Sequence, residues 1–112
     1  MAMQEYKQKD PAFLFYTKDF YSGVAGMTME ERGQYITLLC LQHQQGHLSE
    51  RMVCLTLNIR AFDDVPYVKE KFKVDENGLY YNERLDLEVM RRDAYCKSKS
   101  QNASRGWEKR RK

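Results

Sequence analysis

The sequence predicts a mainly α domain with a small β-hairpin, and three features of its 112 residues predict it. A capped run with helical apolar spacing lies between residues 29 and 45, an Asn77-Gly78 pair separates two short apolar runs, and positive charge gathers at one end of the chain. The first feature demands a helix, the second a turn between two strands, and the third a segment apart from the apolar core.

Taken in order, residues 1–10 are polar and read as a disordered lead, closed by Asp10-Pro11. Phe13-Leu14-Phe15-Tyr16 is an aromatic and apolar run of the strand type, ended by Thr17-Lys18-Asp19. Asp19-Phe20-Tyr21 is placed to start a helical turn, and Gly23 and Gly26 interrupt the chain after it. Thr28 with Glu31 three residues later forms a capping box, in which each side chain satisfies the other's free backbone N–H. The helix that follows, Met29 to Gln45, places Tyr35, Leu38, Leu39 and Gln42 on one face and closes at Gly46, expected in a left-handed conformation. Gly33 inside it costs about 1 kcal/mol relative to Ala, for which either a tightly packed neighbour or plain tolerance accounts.

Ser49 caps a short helix over Glu50 to Leu57. A third helix is expected from Asp63 or Asp64 to Phe72, with Pro66 in its first turn, where no N–H is needed. Lys73-Val74 and Leu79-Tyr80-Tyr81 flank Asp75-Glu76-Asn77-Gly78 as a hairpin, and a last helix begins near Asn82 and runs into the basic segment. Helices followed by a two-stranded hairpin are the parts of a winged helix-turn-helix, in which a recognition helix enters the major groove and the hairpin touches the flanking backbone. The expected division is a lead over 1–10, a winged helix-turn-helix-like single domain over 11–95, and a basic C-terminal arm over 96–112 that is frayed or disordered when alone.

Apolar residues make up 42% of the chain, enough for one core. The sequence has no apolar run of about 18 residues to span a membrane and no apolar leader, so a cytoplasmic protein is expected. Cys40, Cys54 and Cys96 are an odd number at wide spacing, which fits reduced thiols better than a disulfide framework. The net charge of +3 divides unevenly. Residues 91–112 hold nine basic and two acidic side chains, a surplus of +7, which leaves −4 for residues 1–90. Such separation points to a polyanion partner for the arm, the alternative being a tail that only aids solubility.

Catalytic chemistry finds no foothold. There is no glycine-rich phosphate loop, metalloprotease helix motif or nucleophile elbow, so no enzyme activity, catalytic residue, cofactor or small-molecule substrate is expected. Cys40, His43, His47 and Cys54 fall within fifteen residues and raise the question of zinc. Their spacing matches no common paired-ligand pattern, and both cysteines sit among apolar neighbours, where a buried thiol acts as a small hydrophobe, so no metal is expected.

DNA is the expected partner, by two routes. Lys69 and Lys73 are four residues apart and spaced to share a face of the third helix, although residues 60–81 carry four basic and five acidic side chains. Arg105, Lys109, Arg110, Arg111 and Lys112 are the expected phosphate contacts of the arm, sequence-tolerant and salt-sensitive. Trp107 either stacks on an exposed base or packs back onto the body. Phe13, Phe15, Tyr16, Phe20 and Tyr21 are expected to pack the N-terminal segment onto the long helix, with a surface patch for a protein partner as the other reading.

Several stretches also carry a resemblance. Pro11-Ala12-Phe13-Leu14-Phe15-Tyr16, Asp19-Phe20, Met27-Thr28-Met29-Glu30-Glu31-Arg32-Gly33-Gln34-Tyr35, Leu38-Leu39-Cys40, Gln44-Gln45-Gly46 and Leu48 resemble the YdaU-like domain of unknown function, found at the N-terminus of phage and prophage replication-initiation proteins. The likeness covers roughly residues 11–95 and continues weakly through Gly78–Leu85 and Ser104-Arg105-Gly106-Trp107. It implies a role in phage-type replication initiation and brings no catalytic residues with it. The expected function is therefore a DNA- or nucleoprotein-binding module, and the alternative is an adaptor that recruits a helicase or helicase loader without touching DNA.

Overall fold

The computed structural model describes residues 11–96. They form a mainly helical α+β fold: α1 (Thr17–Gly23), α2 (Met29–Gln45), α3 (Glu50–Leu57), a 3-10 turn (Phe62–Asp64), α4 (Pro66–Lys69), β1 (Lys73–Val74), β2 (Tyr80–Tyr81) and a last helix, α5, over 83–96. Among the described residues, no helix is long and apolar enough to cross a membrane.

The helix ends follow the local chemistry closely. Glu31 N–H donates to Thr28 Oγ1 at 3.1 Å, and Thr28 N–H to Glu31 Oε1 at 2.7 Å, completing the capping box of α2. Met52 N–H donates to Ser49 Oγ at 3.1 Å to start α3, and Leu85 N–H to Asn82 Oδ1 at 3.0 Å to start α5. Arg32 binds the loop before α2, its Nε donating to the carbonyls of Val24 and Met27, each at 3.1 Å. Glu31 and Arg32 therefore do structural work here: Glu31 caps a helix, and Arg32 closes a loop that has no ladder to satisfy its carbonyls.

Gly46 differs from expectation. It ends α2 at φ 88°, ψ −157°, which is not left-handed helix but a region open almost only to glycine. Asn58, with φ 57° and ψ 50°, is the residue that takes the left-handed conformation, after α3.

The core sits where α2, α3, α4 and α5 meet the hairpin. Leu38, Leu48, Val53, Phe62 and Val68 are fully buried, with Leu39, Phe72 and Leu85 nearly so. Phe62 lies at the centre, its ring 5.8 Å from that of Phe72 and 5.0 Å from that of Tyr80. Burying a side chain of this size is worth about 1.5–3 kcal/mol, so these few residues supply much of the cohesion between elements.

Three elements depart from the sequence reading. Phe13–Tyr16 is not a strand. A strand needs a partner edge beside it, and this segment lies elsewhere: both sides of β2 are taken, by β1 and by Leu48, while Phe13 packs on His43 of α2 and residues 13–16 line a groove with Leu39 and Leu85. The third helix is shorter than expected, because Val65 stands before Pro66 at φ −126°, ψ 68°, outside the helical region that a following proline disfavours. That break leaves a 3-10 turn and the four residues of α4. The hairpin is present, but its turn is wider than a two-residue Asn-Gly loop. Asp75 N–H donates to Leu79 O at 2.8 Å, Asp75 Oδ1 accepts from Asn77 N–H and Leu79 N–H, and Gly78 alone in the turn has positive φ.

Candidate functional site

Lys69 and Lys73 do not share a helical face, because α4 ends at Lys69 and Lys73 lies in β1. Each also has an acidic partner: Lys69 Nζ donates to Asp63 and Lys73 Nζ to Glu83. These hydrogen bonds raise both ammonium pKa values. Around them Asp64, Glu70 and Glu76 are exposed, so the surface formed by α4 and the hairpin presents paired charge rather than a cationic stripe. Arg105, Trp107, Lys109, Arg110, Arg111 and Lys112 lie outside the described residues.

The residues considered for zinc separate. Cys40 is exposed, not buried as its apolar neighbours suggest, because it falls on the outer side of α2. His43 is buried with its ring 5.0 Å from that of Phe13. Among the described residues no group of three or more His, Cys, Asp or Glu side chains could hold a metal ion. His47 does something else. Its Nδ1 lies 2.7 Å from Asp75 Oδ2 in the hairpin turn, its Nε2 lies 2.7 Å from Asp86 Oδ2 on α5, and its ring stacks on Tyr81 at 4.5 Å. Both ring nitrogens face carboxylates, so the imidazolium, with two N–H donors, is the form that satisfies the site. Burial disfavours its charge, but the hydrogen bonds that His47 donates to Asp75 and Asp86, with the charge of both carboxylates, outweigh burial and raise the pKa above the usual 6.5. The bond to His47 in turn lowers the pKa of Asp75.

Beside this clasp lies a buried polar link between α2 and α5. Gln42 is 3% exposed and accepts from Asn82 N–H at 2.7 Å while donating to Asn82 O at 3.2 Å and Asp86 Oδ1 at 3.0 Å. Asn82 Nδ2 donates to Lys71 O at 3.0 Å and contacts Tyr35 Oη at 3.3 Å. Burial raises the Tyr35 pKa, against the pull of Asn82 and the charge of Arg84.

Next to that link a concave surface opens. A cavity of about 180 Å³ is walled by Phe13, Phe15, Tyr16 and Phe20, with buried Leu39 and Leu85 beneath and Asp19, Asn82 and Arg84 as its polar groups. Phe20 stacks on Tyr35 at 5.7 Å, nearly parallel, and Phe15 lies 4.9 Å from Phe20. Arg84 pairs with Asp19 and lies 5.2 Å from the centroid of the Tyr16 ring. Leu14 and Phe15 remain 55% and 43% exposed, so the packing of the N-terminal segment onto α2 leaves an apolar lip facing solvent. The dense aromatics of residues 13–20 were the signal for this groove; its depth depends on Leu85 and Arg84 of α5, which no local pattern connects to them.

Comparison with protein-family models, curated proteins and solved structures finds no match to the chain.

Proposed function

We propose that this chain is a winged helix-turn-helix-like module of phage-type replication initiation that binds DNA or a DNA-bound assembly, with the basic arm holding the phosphates. The observation that carries the reading is charge separation. Residues 11–96 hold 13 acidic and 10 basic side chains, whereas residues 97–112 hold one acidic and seven basic. A polycationic segment on a mildly anionic body is attracted to a polyanion without drawing the body flat against it, because neutralising phosphates releases condensed cations. The element order supports the winged-helix part. Leu48, between α2 and α3, adds a third pairing position to the hairpin, as the short strand between the first two helices does in that fold. The replication setting rests on the resemblance of residues 11–95.

One observation favours the second reading, an adaptor for a helicase or helicase loader. The α4 and hairpin surface spends Lys69 and Lys73 on Asp63 and Glu83, which suits a protein partner better than a DNA groove.

A gel-shift titration on duplex DNA separates the two. The whole chain is expected to bind with log K falling against log salt at a slope of about −4 to −5, for five neutralised phosphates. Replacing Arg105, Lys109, Arg110, Arg111 and Lys112 with Gln should abolish that binding. Failure of the unaltered chain to bind in low salt would remove the DNA reading and leave the adaptor.

A further inference from the structure

We propose that the aromatic groove between the N-terminal segment and α5 is the docking site for the chain's own Trp107. The groove offers what an indole needs: aromatic walls from Phe13, Phe15 and Phe20, an apolar floor from Leu39 and Leu85, and the Asp19 carboxylate as an acceptor for the ring N–H. Its volume, about 180 Å³, suits one large side chain. Trp107 is also the one large apolar side chain in residues 97–112, where it stands among cations.

Reach permits the contact. From Arg84, on the groove, to Cys96 is twelve residues of α5, or about 18 Å of helix. Trp107 lies eleven residues beyond Cys96, a length of chain that extends up to about 36 Å, twice the return distance. Charge assists it, since the segment carries seven cations against one anion and residues 11–96 carry the acidic excess. Tethering makes the groove's effective concentration of indole of millimolar order, so even a weak contact is populated. The docked state would hold Arg105 and Lys109 against the body. Docking itself stands on the groove and the tether, and does not depend on DNA binding.

Because the chain has a single Trp, its emission reports the contact directly. In the native 112-residue chain the emission should lie at shorter wavelength than in the denatured chain and be shielded from acrylamide, at every protein concentration. Leu14→Ser with Phe15→Ser removes the exposed lip; it should return the emission and quenching to the denatured values while circular dichroism stays unchanged. If the pair disturbs the melt, Leu14→Ser alone gives a partial shift in the same direction. Native emission equal to the denatured value would overturn the proposal. So would a blue shift that survives the lip substitutions, which would place Trp107 elsewhere, or one lost on dilution, which would assign the groove to a second copy's arm.

Discussion

Gln42→Met tests the claim that a buried amide, rather than apolar contact alone, fastens α5 to α2. The two side chains have similar length, so packing changes little and the effect is one of hydrogen bonding. Met removes the acceptor of Asn82 N–H and the donor to Asp86 Oδ1. Asn82 O keeps a partner, because Asp86 N–H still donates to it at 3.1 Å. An orphaned buried N–H costs about 1–3 kcal/mol, and the lost bond to a carboxylate, one-third exposed and still held by His47, adds about 1 kcal/mol. The thioether regains about 1 kcal/mol of this by burying apolar surface, which leaves a net loss of about 1–3 kcal/mol. For a domain of this size that lowers Tm by roughly 5–15 °C. Urea unfolding followed by far-ultraviolet circular dichroism is the assay, with an unchanged slope showing that the two end states are the same. A loss below about 0.5 kcal/mol would refute the reasoning, because it would mean that Asn82 N–H finds another partner at no cost.

The remaining predictions concern pH and two glycines. The raised pKa of His47 means its clasp contributes fully below the unfolded value of 6.5 and is lost as pH rises through the higher folded value. Asp75, lowered from 3.8, contributes above that value and fades as pH falls through its depressed one. The Tm gap between the native chain and His47→Gln should therefore be widest between about pH 4 and 6.5 and narrow in alkali; a gap constant to pH 9 would show that the clasp is not ionic. Gly33→Ala should stabilise α2 by about 0.5–1 kcal/mol, since an added Cβ meets nothing within 4 Å, and a lower Tm would show that the face is occupied. Gly46→Ala should lose about 1–3 kcal/mol, because φ 88° with ψ −157° is closed to a residue with a Cβ; a neutral result would show that the α2–α3 joint rearranges freely.

The candidate site was only partly legible beforehand. The cationic arm is visible in composition because charge needs no fold to be counted. The aromatic groove was half visible, as a cluster over residues 13–20 without the α5 residues that deepen it. Nothing in the order of residues announced that Lys69 and Lys73 have acidic partners, since Asp63 and Glu83 are six and ten positions away from them.

Helix caps and the hairpin's existence follow from the sequence alone, because Thr28 with Glu31, Ser49 before Met52, and Asp75 through Gly78 act on backbone groups within four residues of themselves. Tertiary structure decided the rest. Whether Phe13–Tyr16 pairs as a strand depends on what it packs beside, and it lies by His43 and Leu39 of α2 and Leu85 of α5 rather than along the sheet. What Gln42 and His47 do depends on Asn82 and Asp86, roughly forty residues away, and a side chain's partner at that separation is chosen by how helices pack, not by its neighbours along the chain.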